Sequence, residues 1–391
     1  MSEDEQLNRA IDALVKEERL LEAARVLRQQ HGLDETSAAT PALSERHEKI
    51  LKNAEIIENA VGDLLSSPGD DWIKQGEAHG KNGDFTVYYK IEDGARLTCR
   101  IESPIPTSHL VPLLSVLNES ELYEDWIPTF HRPVKMGVSS SKQLATFSRG
   151  HQVIQVQCSV PYPMYPREAL FDVVAVDDID ANGFIIAKMT TITEELAKNL
   201  PNNFDFTGVS SGFEQCDFDG AVLFRACPTD HPNYASAEQK FNDDLILTTF
   251  TFFFDAKLRY VPVSLINFVT REAIGLIWNM LLNVAEQVRD GTRTKHCDII
   301  SEKQEFYQWV EERCRFMLQT LKSTNANANA HDPDRDKNEN TNQLLNQSKK
   351  HDADLNKNST SIAAKTCRAE EVEEQKDEQN WTMQDILRLN I

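Results

Sequence analysis

The sequence predicts an α+β fold in which an antiparallel sheet grips one long C-terminal helix, and three observations predict it. The run Thr249–Phe254, TFTFFF, is β-branched and aromatic, too apolar for a loop, and reads as a strand. Val261-Pro262 then interrupts, because proline fixes φ and supplies no amide donor, and Ser264 is placed to cap a new helix. In that helix Ile266, Val269, Ala273, Ile277, Met280, Leu281, Val284 and Val288 recur every three or four positions, with Arg271, Glu272, Asn279, Glu286 and Arg289 opposite. So wide an apolar stripe needs a large partner surface, and each large side chain buried there contributes roughly 1.5–3 kcal/mol.

The elements before it follow in order. Residues 4–30 predict one amphipathic helix, with Leu7, Ile11, Leu14, Leu21, Ala24 and Leu27 on one side and His31-Gly32 ending it. A second helix runs from Ser44 to about Ser66, where Pro68-Gly69 stops it, so residues 1–66 form an α-hairpin. Phe85–Tyr89 and Ala95–Ile101 predict a hairpin around Asp93-Gly94. Ser108–Leu117 is helical, and Glu121–Phe130 is a short helix holding Trp126. Val134–Ser139, Leu144–Ser148 and His151–Val160 are strands. In the last of them Ile154, Val156, Cys158 and Val160 alternate with Gln155, Gln157 and Ser159, as a sheet with one solvated face requires. Phe171–Val176 pairs with Gly183–Ile192, and Ala221–Ala226 is a further strand. Glu302–Leu321 is a helix extending the core, giving a segment 291–321. From 322 to 391 the chain is rich in Asn and charge, nearly free of large apolar residues, and predicted disordered. Trp381, Met383, Ile386, Leu387 and Leu389 form a short amphipathic pattern within that tail.

Composition narrows the function. Of 391 residues 40% are hydrophobic, enough for a core, and the formal net charge of −21 excludes a general nucleic-acid binder and disfavours standing attachment to an anionic membrane. The acidic start MSEDEQLNRA has no secretory pattern, and Ile274–Ala285 is too short and polar to span a bilayer. Seven cysteines without a CxxC pair suit reduced thiols, so a cytoplasmic protein is expected. No GxSxG, HExxH, Walker or GxGxxG motif is present, and no catalytic residue, metal or cofactor is expected. His131, His151 and His231 lack metal-ligand spacing and read as surface or hydrogen-bonded side chains. Asp177, Asp178 and Asp180 read as a solvated hairpin turn.

Four stretches then carry a resemblance. LYEDWIPTFHRPVKM (Leu122–Met136), PYPMYPREALFDVVAV (Pro161–Val176), Gly183–Ala187, and the terminal strand with VPVSLIN (Val261–Asn267) opening the last helix resemble, in this order, the START domains, a family of lipid-binding proteins with the helix-grip fold. The resemblance covers about 70–290. It implies a curved antiparallel sheet wrapped around the C-terminal helix with an apolar cavity between them. Candidate lining residues are Ile154, Val156, Cys158, Phe171, Phe250, Phe252 and Phe254 on strands, with Val269, Ile277, Met280 and Leu281 on the helix. Tyr162, Met164 and Tyr165, set among three prolines, stand where the family places a loop over the cavity mouth. Arg167 and Glu168 match the family's Arg-Glu pair. The charged residue that some members carry deeper in the following strand falls near Val174 here, which weakens any assignment of a particular lipid. Gln155, Gln157, Arg167 and Lys188 are the candidate polar contacts.

The first expectation is therefore a non-enzymatic protein that binds, and transfers between membranes, a phospholipid or sterol, with transient membrane contact. The second is an interaction or scaffold protein with a degenerate cavity, meeting a protein partner through the N-terminal helices or residues 381–390. The third is an enzyme of the related cyclase or hydrolase type, which requires polar catalytic groups inside the cavity.

Overall fold

The computed structural model describes residues 3–32, 43–80, 83–92, 96–129, 137–160, 162, 164–201, 204–255, 257 and 263–330, the side chains of 3–4, 78–80, 92, 96, 263–272 and 321–330 excepted. Helices α1 (Glu3–Lys16), α2 (Leu20–His31) and α3 (Glu45–Leu65) precede strands β1 (Ile73–Gly80), β2 (Gly83–Glu92) and β3 (Arg96–Pro106). Helix α4 (Leu110–Asn118) and a 3₁₀ turn (Ser120–Asp125) lead to β4 (Gly137–Thr146), β5 (His151–Ser159) and β6 (Arg167–Asp178). The short α5 (Ile179–Asn182), β7 (Phe184–Thr191), the short α6 (Glu194–Ala197), β8 (Glu214–Gln215), β9 (Asp217–Ala226), α7 (Tyr234–Phe241) and β10 (Leu245–Asp255) follow. Helices α8 (Val263–Arg289), α9 (Thr294–Glu302) and α10 (Gln304–Ala330) close the chain.

The strands form one sheet in the order β1-β2-β3-β10-β9-β7-β6-β5-β4, antiparallel throughout, with β8 added parallel to β6. This is the helix-grip arrangement that the motifs implied: β10 sits beside β3 and the sheet lies against α8. Its register sorts the side chains. Phe250 of β10 stands opposite Val222 of β9 and Ile101 of β3, Val222 opposite Ala187 of β7, and Ala187 opposite Ala175 of β6, so these residues share the inner face. The core on that face joins Phe85, Val87, Cys99, Ile101, Ile105, Phe224 and Ile246 to Trp278, Leu281, Leu282 and Ala285 of α8, with α4 and α10 contributing Leu113, Val116 and Met317.

The outer face is covered by the N-terminal helices. Leu21, Ala24, Ala54, Ile57 and Leu64 pack on Val176, Phe184, Ile186, Ala221 and Leu223. The single helix expected over 4–30 is instead two. Glu18 has φ 63°, its carbonyl accepts from the Asp177 amide at 2.9 Å, and the corner lets Ile11 pack beside Leu27 and Ile50. The apolar spacing from Leu14 to Leu21 stays in phase across the break, so periodicity alone runs through it. Ser44 caps α3 as expected, its hydroxyl accepting from the His47 amide at 3.2 Å. The described parts of the strands expected at 134–139 and 144–148 join in β4, which runs to Thr146 with register shifts between Val138 and Ser140 and between Gln143 and Ala145; 134–136 lie outside the described residues. Trp126 follows a 3₁₀ turn rather than lying in a helix. The last helix continues to Ala330, past the expected end at Leu321. The Asp93-Gly94 turn, His131 and the pattern at 381–390 lie outside the described residues.

Of the acids before β7, Asp180 is exposed as expected, but Asp177 and Asp178 are not in a solvated turn. Asp177 and Asp178 are 6% and 3% exposed, because α2 and α10 close over them. Arg25 pairs with Asp178, and Arg313 donates from Nη2 to Asp177 at 3.0 Å and to Asp180 at 3.1 Å. Burial of such charges is tolerated only with partners in good geometry. Beside them, burial raises the Glu18 carboxyl above its ordinary value despite the Ser148 hydroxyl donating to it at 3.1 Å. A carboxyl whose folded pKa is raised keeps its proton longer in the folded chain, so its stabilising contribution is full below pH 4.5 and is lost as pH rises through the folded value. Glu18→Gln is expected to match the parent in urea denaturation near pH 4 and to exceed it in stability at pH 8; an advantage that grows toward low pH contradicts the assignment.

Candidate functional site

The inner face is buried at one end and half-buried in the middle. In β10 the residues Leu245–Thr249 are buried, whereas Phe250–Asp255 are half-buried, and in β6 Asp172–Ala175 are half-buried between buried ends. The inner-face positions of this central band are Phe250, Phe252 and Phe254 on β10, Phe218 and Val222 on β9, Ala187 and Met189 on β7, Val173 and Ala175 on β6, and Val156 and Cys158 on β5, all half-buried. A central sheet face packed solid would bury them, as it does Ile101 and Phe224 a few residues away at 1% and 0% exposure. Ala175, Ala187 and Val222 lie side by side across three strands, so the middle of the band has short side chains.

Aromatic rings line one side of the band in a continuous ladder. Phe171 meets Phe218 edge-on at 5.6 Å between centroids, Phe218 stacks on Phe252 at 5.5 Å, Phe252 on Phe250 at 4.9 Å, and Phe250 on Trp278 of α8 at 6.4 Å. Gly220 makes the ladder possible. A Cβ there would stand 2.7 Å from Phe252 Cβ and 2.9 Å from the Phe218 ring, so only glycine lets those rings stack across it.

Opposite Cys158 on the inner face, Arg167 joins three segments. Its guanidinium pairs with Glu214 at 2.9 Å and donates to the Tyr165 carbonyl and, at 3.2 Å, to the Lys257 carbonyl, which ties the loop before β6 to the connection before α8. Lys257 in turn pairs with Asp217 at 2.8 Å. Glu168 points to the other face, where it accepts from Gln157 at 2.6 Å and from the Ser210 amide at 2.7 Å. In the loop Tyr162 is 96% and Tyr165 62% exposed, and Met164 is half-buried.

The sequence-derived lining set is thus brought together on the strands: Ile154, Val156, Cys158, Phe171, Phe250, Phe252 and Phe254 all lie on the inner face. Ile154 and Phe171 are in its closed part. On α8, Ile277, Met280 and Leu281 pack against the core of the inner face. The Val269 side chain lies outside the described residues. Three polar candidates are corrected. Gln155, Gln157 and Lys188 alternate onto the outer face, where Gln155 donates to Ser210 at 3.5 Å, Gln157 to Glu168, and Lys188 pairs with Asp219. Val174 is likewise an outer-face residue against the N-terminal helices, and its inner-face neighbours Val173 and Ala175 are apolar. Phe218, Val222, Ala187, Met189, Val173, Ala175 and Trp278 were not singled out from sequence. Strand alternation from Phe171 would have found Val173 and Ala175.

Ionisable groups on these strands are held neutral or paired, the thiols on the inner face and His151, Asp172 and Glu102 on the outer. Burial pushes the Cys158 thiol up to about 11 and the Cys216 thiol to about 12, so neither is a thiolate at neutral pH. His151 bonds Asp172 at 2.7 Å, and His231 lies 3.5 Å from Glu102. Among the described residues no group of three or more His, Cys, Asp or Glu is arranged to hold a metal, and no helix is long and apolar enough to cross a membrane. A separate pocket of about 170 Å³, lined by His109, Asp243, Glu286 and Arg289 among others, lies at the C-terminal end of α8 and is too small and charged for an acyl chain. There Arg289 donates to His109 Nε2 at 3.1 Å; burial, then Arg289, lowers that imidazole's pKa to about 4.

Gly220→Val is expected to lower stability in urea by about 1–3 kcal/mol, the cost of forcing a side chain between packed rings. Full retention of stability would mean that the Phe218–Phe252 stack is not as described.

No protein-family model matches the chain, and no curated protein matches it. Solved structures do. Human STARD10 is 10% identical, with 71% of this chain and 91% of that chain covered and a TM-score of 0.44. Human StAR-related lipid transfer protein 5 is 12% identical over 62% of this chain and 98% of that chain, with a TM-score of 0.44. A STAR-related lipid transfer protein fragment from Xanthomonas axonopodis is 16% identical over 56% of this chain and all of that one, with a TM-score of 0.40. Identities and TM-scores this low leave function to be argued from the chain's own residues.

Proposed function

We propose that the half-buried apolar band between the sheet and α8 is a lipid-binding site, and that the chain carries a lipid without chemically altering it. The observation that carries this reading is the band itself: eleven inner-face residues in the middle of a sheet, all half-buried, and all apolar but for the Cys158 thiol. An apolar face of this kind is closed in water by filling it, and a lipid tail fills it at about 0.8 kcal/mol per buried CH₂. No covalent step is needed for useful affinity.

The loop holding Tyr162 and Tyr165 is the lid in this reading. Its exposed rings suit a membrane interface, where an aromatic body meets lipid and its hydroxyl meets water. The Arg167 contacts to Tyr165 and Lys257 hold the lid to the α8 connection, and their release opens the mouth. The unit that binds lipid spans about 70–290, with 1–66 bracing the opposite face.

Native mass spectrometry of the full chain after mixing with lipid vesicles, followed by extraction, tests the reading. One lipid per chain is expected. Ala187→Trp places an indole in the middle of the band and should abolish the adduct while leaving the protein folded, with Ala187→Leu intermediate. A parent chain that stays bare favours the scaffold role. Undiminished loading of Ala187→Trp places the lipid elsewhere.

A further inference from the structure

Where the closed core meets the open band, two polar groups are buried with nothing to bind. Trp278 is 3% exposed and Thr248 0% exposed, and among the described residues neither the Trp278 indole Nε1 nor the Thr248 hydroxyl has a hydrogen-bond partner. Buried polar groups are nearly always paired, so two such orphans beside one site call for an explanation. Thr248 precedes Phe250 by two positions on the same face of β10, opposite Phe224 and Ser103. Trp278 stacks on Phe250, the first half-buried residue of that strand. The Ser103 hydroxyl on this face is already engaged, donating to the Asp84 carbonyl at 3.3 Å.

Among the described residues, the strand neighbours carry no charge to match a charged headgroup. Ile101, Val222, Phe224 and Ile246 are the strand neighbours at this level. Asp177, farther along the inner face opposite Ile185, is already held by Arg313. A phosphate or ammonium buried here would lose its hydration without gaining a counter-charge.

We propose that Trp278 and Thr248 form the polar floor of the site and bind an uncharged oxygen, the hydroxyl or carbonyl of a neutral lipid. The indole N–H only donates, so its partner must be an acceptor, and the threonine hydroxyl both donates and accepts. A ligand hydroxyl accepts from Trp278 and exchanges a hydrogen bond with Thr248; a carbonyl accepts from both. The lipid then lies with its oxygen at the floor and its hydrocarbon along the Phe250–Phe252–Phe218 ladder toward the Arg167 mouth. This inference rests on the lipid-binding reading and specifies which class of lipid the site selects.

The test offers the full chain to phosphatidylcholine vesicles carrying cholesterol, 4-cholesten-3-one or 5α-cholestane, and separately octadecan-1-ol or octadecane. The guest bound is measured after the protein is separated from the vesicles. In at least one series the oxygenated guest is expected to be favoured about tenfold over its hydrocarbon, the scale of one or two hydrogen bonds. Trp278→Phe keeps a ring on Phe250 and should reduce that preference to near unity without loss of hydrocarbon binding. Thr248→Val, nearly isosteric, should act in the same direction and carries the test alone if Trp278→Phe does not fold. Equal uptake of both guests, a preference that survives the folded variants, or loading with phosphatidylcholine alone overturns the inference and leaves lipid binding standing. A chain that carries no lipid of any kind overturns both.

Discussion

One helix cannot cover so wide a sheet. Eight gaps between neighbouring strands at about 4.8 Å make the sheet roughly 40 Å across, whereas a helix with its side chains is about 10–12 Å wide. Across its middle the described inner face is half-buried rather than buried. The core resolves this at one end, where Phe85, Ile101, Ile105 and Phe224 meet Trp278, Leu281 and Leu282 and nothing is exposed. Farther along β10 the side chains are half-buried: Phe218, Phe252 and Phe250 stack on one another, and Phe250 also on Trp278 of α8.

The outer face meets the same constraint differently. There the chain supplies its own cover in α2 and α3, and Arg25 of α2 ties that cover to the buried Asp178 of β6. The Arg100 guanidinium adds bonds to the Asp63 and Leu64 carbonyls at the end of α3, at 2.9 and 3.0 Å. The N-terminal helices are therefore part of the body of the fold, and the faces differ: one is packed under α2 and α3, and the other holds a half-buried apolar band.

Much of this was legible in the sequence because it follows from short-range periodicity. The alternation around Ile154–Cys158 gave the correct inner face, and the aromatic run Thr249–Phe254 gave the strand beside the helix. Ser44 gave a cap where one is found. The misses come from tertiary partners. Gln155, Gln157 and Lys188 were attractive because they are polar in apolar strands, yet alternation sends them outward, where Ser210, Glu168 and Asp219 receive them. Asp177 and Asp178 look like turn residues until α2 and α10, distant in sequence, fold over them. Trp278 was hidden because a helix stripe shows which residues face inward, not which lack a hydrogen-bond partner once there. Gly220 is visible as a glycine in a strand, but its reason, the two rings crossing it, exists only after β9 and β10 pair.

The central claim is that lipid occupies the inner-face band. The most direct measurement is an NMR experiment on the full chain loaded with ¹³C-labelled lipid, reading intermolecular contacts to assigned methyl and aromatic groups. The account predicts contacts from the labelled chain to Val222, Met189 and the Phe218–Phe252 rings. Contacts confined to the exposed Tyr162 and Tyr165, or to the outer-face Val174 and Ile186, would contradict it.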